Sequence, residues 1–122
     1  MHELAICQSL LREVERVAAE QGAVAVSGIV IAIGPLAGVE APLLARAFSV
    51  ARAGTIAENA SLEVETTPIM VRCGACGTET AVAANALLCG ECGAWRVELK
   101  SGDELLLKRV ELALDAEATS EG

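Results

Sequence analysis

From residue 3 to residue 20 apolar side chains recur at helical spacing. Leu4, Cys7, Leu11, Val14 and Ala18 fall on one stripe, widened by Leu10 and Val17, while Arg12, Glu13, Glu15, Arg16 and Glu20 take the other positions. One apolar face with a period near 3.6 residues predicts an amphipathic helix, and Gly22 is placed to end it. The pattern then changes. Residues 24–33, Val-Ala-Val-Ser-Gly-Ile-Val-Ile-Ala-Ile, are rich in β-branched side chains and predict a strand. Ile29, Ile31 and Ile33 share one face and Val26, Val30 and Ala32 the other. A strand apolar on both faces is either central in its sheet or covered by a partner on its second face. Gly34-Pro35 and Gly38 predict a turn. Pro42 suits the first turn of a second helix, with Leu44, Ala47, Phe48 and Ala51 on its buried stripe and Gly54 at its end. Leu62, Val64 and Thr66 alternate with Glu63 and Glu65, the pattern of a half-exposed strand. After a turn at Ser101-Gly102-Asp103, residues 104–112 predict a third strand. The segment from Asp115 is small, polar and acidic, and disorder is expected there.

The third strand follows the segment 71–99 yet has the composition to pair with the first two. That segment is therefore predicted to be an insertion between two strands of one sheet, its ends close together. The expected fold class is α+β. A three-stranded sheet with two helices covers 1–70 and 101–114, a small inserted domain covers 71–100, and a tail covers 115–122.

Composition narrows the function classes. The 122 residues are 53% hydrophobic, but Phe48 and Trp95 are the only aromatics, so the core must be aliphatic. A net charge of −8 repels phosphate backbones, and the lack of aromatics removes stacking platforms, so no nucleic-acid partner is expected. No apolar run reaches the length of a membrane span, and no basic segment precedes an apolar one at the N-terminus. A cytoplasmic setting is the expectation.

The inserted segment carries the clearest chemistry. Cys73-Gly-Ala-Cys76 and Cys89-Gly-Glu-Cys92 are separated by residues 77–88. Two such knuckles can converge four thiolates on one tetrahedral ion, most often zinc, with a rubredoxin-type iron as the runner-up. In an unexported chain this pattern reads as metal ligation rather than as disulfides. Gly77 and Gly93 follow the second cysteine of each knuckle, where positive φ turns neighbouring amides toward sulfur. A module of about 30 residues has little core and depends on its metal. Four protein ligands leave no open position for substrate, so the expected zinc site is structural rather than catalytic. Cys7 lies on the helical stripe and reads as a core thiol.

His2 is the single histidine. An exposed terminal residue without a role is the ordinary reading of such a position. The alternative is that a free α-amine, adjacent backbone amides and an imidazole form a nitrogen-rich square plane suited to Ni(II) or Cu(II). The opening Met1-His2-Glu3-Leu4 with Gln8-Ser9-Leu10-Leu11 resembles the HypA/HybF family of hydrogenase-maturation nickel chaperones. The resemblance continues through Ile33-Gly34, Gly38-Val39-Glu40, Ala47-Phe48, Gly54-Thr55, both knuckles with Gly93, and Ser101-Gly102-Asp103-Glu104-Leu105, covering roughly residues 1–112.

The resemblance implies a nickel domain and a separate zinc-ribbon domain. Nickel would be held by the Met1 amine, the His2 amide and imidazole, and the backbone nitrogen of Glu3. Zinc would be held by Cys73, Cys76, Cys89 and Cys92. Glu40 would stand near the nickel end, behind its ligands. The implied function is delivery of Ni(II), with a nickel-handling GTPase, into the large subunit of NiFe hydrogenase, urease being served by some members. No membrane is involved, and the chain would be a monomer or weak homodimer. Two departures mark this sequence. The turn after Gly34 reads Pro-Leu-Ala where the family usually has an acidic residue beside the glycine, and the first strand carries fewer charges. Two other readings compete: a structural zinc-ribbon adaptor without nickel function, and a rubredoxin-like electron carrier.

Overall fold

The computed structural model describes residues 2–114; Met1 and the predicted disordered tail lie outside the described residues. The elements run α1 (His2–Gln21), β1 (Ala25–Ile33), α2 (Ala41–Ala51), β2 (Ser61–Thr66), β3 (Ile69–Cys73), β4 (Glu79–Val82), β5 (Val97–Ser101) and β6 (Leu105–Ala113). Two three-stranded sheets result, ordered β2-β1-β6 and β4-β3-β5. The fold is α+β, as the hydrophobic pattern predicts. Among the described residues no helix is long and apolar enough to cross a membrane.

Contacts divide the described residues into two units, 2–31 with 40–64 and 107–114, and 32–39 with 65–106. In the first unit, α1 buries Cys7, Leu10, Leu11, Val14 and Ala18, while Leu4 and Val17 are half-buried at the stripe's margins. It packs against α2, which buries Leu44 and Phe48. Pro42 stands in the first turn of α2, where its missing N–H has no helical partner to lose, and Gly54 turns the chain at φ 77° after the last one. Arg52 stacks over Phe48 at 5.7 Å and donates to the Ala60 carbonyl at 2.7 Å, tying the end of α2 to the segment before β2. Full burial of Leu44 stabilises this core by roughly 1.5–3 kcal/mol.

β1 is central and buried on both faces from Gly28 to Ile33, which its β-branched run anticipates. Val24 N–H donates to Ala113 and Gly34 N–H to Glu104, so β6 runs antiparallel to β1. Val26 N–H donates to Ile56 near the start of β2, and Thr67 N–H donates to Ile33 at its end, so β2 runs parallel to β1. A parallel neighbour requires a crossover, and α2 supplies it.

In the second unit, β3 pairs antiparallel with β4 and β5. Ile69, Val71, Cys73 and Cys89 are its buried apolar side chains, with Ala32 and Ile33 from the segment 32–39. Met70 lies opposite Ser101, and Ser101 Oγ donates to the Pro68 carbonyl at 3.0 Å, so the segment carrying the cysteines enters and leaves side by side. The segment 32–39 joins this unit through two glycines. A Cβ on Gly34 would fall 2.1 Å from the Gly102 oxygen, and one on Gly102, itself at φ 116°, would fall 2.8 Å from Ile69 Cγ1. With no side chains between them, Gly34 N–H reaches Glu104 O at 2.8 Å and Leu36 N–H reaches Gly102 O at 2.7 Å. Contacts thus group a wider set of residues around the cysteines than the span 71–100.

Candidate metal centre

Each cysteine pair sits on a tight turn, and the two turns repeat one geometry. Cys73 N–H donates to Thr78 O and Cys89 N–H to Ala94 O, both at 2.9 Å. Gly77 N–H donates back to Cys73 O at 3.0 Å and Gly93 N–H to Cys89 O at 2.9 Å. Both glycines stand at positive φ, 78° and 76°, a conformation a side chain would strain. The turns aim amides at sulfur. Ala75 and Cys76 N–H approach Cys73 Sγ at 3.2 and 3.3 Å, and Glu91 and Cys92 N–H approach Cys89 Sγ at 3.3 and 3.4 Å. The second turn is tied to β4 by Gly90 N–H donating to Thr80 Oγ1 at 3.0 Å.

The four sulfurs lie within 4.8 Å of one another, with Cys73–Cys92 and Cys76–Cys89 each at 3.6 Å. A tetrahedron of thiolates about 2.3 Å from zinc has edges of about 3.8 Å, so the cluster has the size the ion requires. All four are free thiols rather than disulfides. Cys73 and Cys89 are buried, and Cys76 and Cys92 are exposed.

Electrostatics point the same way. Amides from Cys76 and Ala75, with the neighbouring sulfurs, hold Cys73 down at about 6. Thr78, through its side chain and its amide, lowers Cys76. The Ala94 amide pulls Cys92 down, but the sulfurs of Cys73 and Cys89 outweigh it and push Cys92 up to about 12. Four thiolates so close cannot all ionise on their own; a divalent cation at their centre removes that conflict. The donor set is closed and all sulfur, so bound zinc supplies structure. Thr78 and Thr80 are the residues sequence reasoning missed.

The other candidate residues are not part of this cluster. His2 opens α1 and is exposed, Glu3 is half-buried in its first turn, and Met1 lies outside the described residues. Glu40 is exposed at the N-cap of α2, and its carbonyl accepts Leu44 N–H at 2.9 Å. Among the described residues the side chains of His2, Glu3 and Glu40 make no hydrogen bond or ion pair. Cys7 is the core thiol its place on the stripe implies: it is fully buried, 3.5 Å from the Leu44 carbonyl. Burial first, and the Glu3 carboxylate second, push its pKa up.

These features define a class: an α+β chain carrying a structural four-thiolate ribbon. The family is narrower. Residues 1–112 match the family model described as hydrogenase/urease nickel incorporation, metallochaperone, hypA. The hydrogenase maturation factor HypA of Nitrosospira multiformis is 47% identical over 112 residues, covering 92% of this chain and 97% of that protein. The HypA of Aquifex aeolicus is 40% identical over 115 residues, covering 94% and 100%. The solution structure of the Ni metallochaperone HypA from Helicobacter pylori shares the fold, with a TM-score of 0.72 at 22% identity over 93% of this chain and 98% of that one. The chain belongs to the HypA family of nickel-incorporation metallochaperones. The expected nickel cargo and four-cysteine zinc site agree with that membership.

Proposed function

We propose that this chain binds one Ni(II) through the Met1 amine, the His2 amide and imidazole, and the Glu3 backbone nitrogen. It then delivers the ion, with a nickel-handling GTPase, into the large subunit of NiFe hydrogenase. It acts in the cytoplasm as a carrier rather than an enzyme, with zinc held by Cys73, Cys76, Cys89 and Cys92. The observation that carries the reading is the exposed His2 at the head of α1 in a member of a nickel-incorporation family. The first N–H groups of a helix have no intrahelical acceptor, so the amides of His2 and Glu3 can lose protons to nickel without breaking α1. A square plane of four nitrogens suits Ni(II) and disfavours zinc, which separates the cargo from the structural ion. The exposure of His2 also suits release. Glu40 contributes charge behind the ligands rather than a bond.

The test is nickel titration of the untagged, zinc-loaded chain beside His2→Ala. Loss of binding in the variant, and weakening by any residue added ahead of Met1, supports the assignment. Equal affinity overturns it and leaves the structural adaptor.

A further inference from the structure

Two arginines of the second unit line one cavity without a carboxylate partner. Arg72 and Arg96 border an open cavity of about 250 Å³ together with Cys73, Gly74, Val97 and Glu98. Among the described residues neither guanidinium makes an ion pair or hydrogen bond. Their frame is fixed by the metal-binding turn. Arg72 precedes Cys73 in β3, Cys73 lies opposite Val97, and Gly74 N–H donates to Arg96 O at 2.8 Å. A Cβ on Gly74 would stand 3.2 Å from that oxygen, a tight contact that the glycine avoids. The Arg96 guanidinium lies 5.7 Å from the centre of the Trp95 ring, and Trp95 is 75% exposed. Cys89 N–H bonds Ala94 O, which precedes Trp95, so the second turn anchors the chain next to the indole.

The surroundings choose the occupant. In a chain of net charge −8 a polyanion is repelled over most of the surface, whereas a single carboxylate responds chiefly to the charges at the cavity, Arg72 and Arg96 against Glu98. A guanidinium matches a carboxylate with two parallel hydrogen bonds. An exposed indole against Arg96 leaves apolar surface that a free anion would not cover. Trp and Arg together are the side chains that dominate protein interfaces. We propose that the Arg72–Arg96 cavity receives an Asp or Glu side chain of a partner protein, with an apolar neighbour of that residue lying on Trp95. Two carboxylates of the chain itself oppose this. Glu98 shares the cavity and lies opposite Arg72, with Oε1 3.9 Å from Lys100 Nζ, and Glu79 lies opposite Arg72 on β4. Glu98 therefore lowers affinity and favours release. The inference rests on the second unit alone and stands whether or not nickel binds at His2.

The zinc-loaded full chain is panned against a random peptide library displayed on phage. Enrichment of Asp or Glu next to an aromatic or aliphatic residue is the expected result. The leading peptide is then synthesised and titrated by fluorescence of Trp95, the single tryptophan. Arg72→Gln and Arg96→Gln should each weaken it by about tenfold or more, and Glu98→Gln should tighten it. A peptide with Gln in place of its acidic residue leaves the protein untouched and should lose binding to the same extent. Absence of enriched peptides, enrichment without acidic residues, or indifference to the peptide's Glu→Gln change overturns the proposal. So does displacement by a short DNA oligonucleotide at equal concentration.

Discussion

The first unit is built around apolar burial and the second around a four-thiolate metal site. In the first, Cys7, Val14, Ala18, Leu44 and Ile31 come from three elements and are inaccessible to solvent. The second has three short strands and buries little beyond Ile69, Val71, Cys73 and Cys89, two of which are metal ligands. Its larger apolar side chains, Leu87, Leu88, Trp95 and Leu99, face solvent. Patterning therefore specifies the first unit and spacing the second. A helical stripe tolerates several changes of side chain, whereas a tetrathiolate tolerates no lost sulfur.

Metal removal should break this comparison most sharply. Small zinc modules bind their ion with an apparent free energy on the order of 10–16 kcal/mol, and that energy is their folding energy. A strong chelator should abolish amide-exchange protection in β3, β4 and β5 while α1 and β1 up to Ile31 keep theirs. Persistent protection in β3 would show that the second unit has a sufficient core of its own.

Leu44→Ala acts on the other side. Truncating a fully buried leucine costs about 2–5 kcal/mol. The melting temperature of the first unit should fall with the zinc content unchanged.

A pair of glycines sharpens the contrast at equal cost. Gly54 and Gly77 have nearly the same positive φ, 77° and 78°, and a Cβ on either would touch nothing within 4 Å. Alanine at each should therefore cost about 1–2 kcal/mol from backbone strain alone. Gly77→Ala should appear as weaker zinc affinity in a competition titration, and Gly54→Ala as a lower melting temperature. A zinc effect from Gly54→Ala would erase the distinction.

The smallest effect is at Cys7. Its thiol pKa is raised in the folded state by burial and by Glu3, so folding favours the protonated form. That contribution is complete below the ordinary thiol value of 9.0 and is lost as pH rises through the raised folded value. Thermal melts at rising alkaline pH should fall more for the parent chain than for Cys7→Ala, and Cys7 should resist alkylation at pH 8.

The first unit was legible because its elements are long. Twenty residues of α1 and nine of β1 carry enough repeats for their periods to be read, and of the two readings that β1's apolar faces allowed, central or partner-covered, the sheet order shows the first. The strands of the second unit are four or five residues long. Glu79-Thr-Ala-Val and Val97-Glu-Leu-Lys-Ser are too short for alternation to stand out, so the second sheet was not read as strands. The four cysteines were legible because metal ligation constrains residue type and spacing directly. The hydroxyls of Thr78 and Thr80, and the shared cavity of Arg72 and Arg96, carry no spacing rule and emerged only from their neighbours.

The sequence by itself determined the helices, the main strands of the first sheet and the four-cysteine cluster, because each depends on residue type at short range, and the motifs spread over residues 1–112 pointed to the family. Tertiary structure alone decided that 32–39 belongs with the cysteine-bearing unit, through the closeness of Gly34 and Gly102. It also decided that Arg72 and Arg96 share one cavity. Those are contacts between residues 68 and 24 positions apart, set by how sheets and turns pack, which no local pattern encodes.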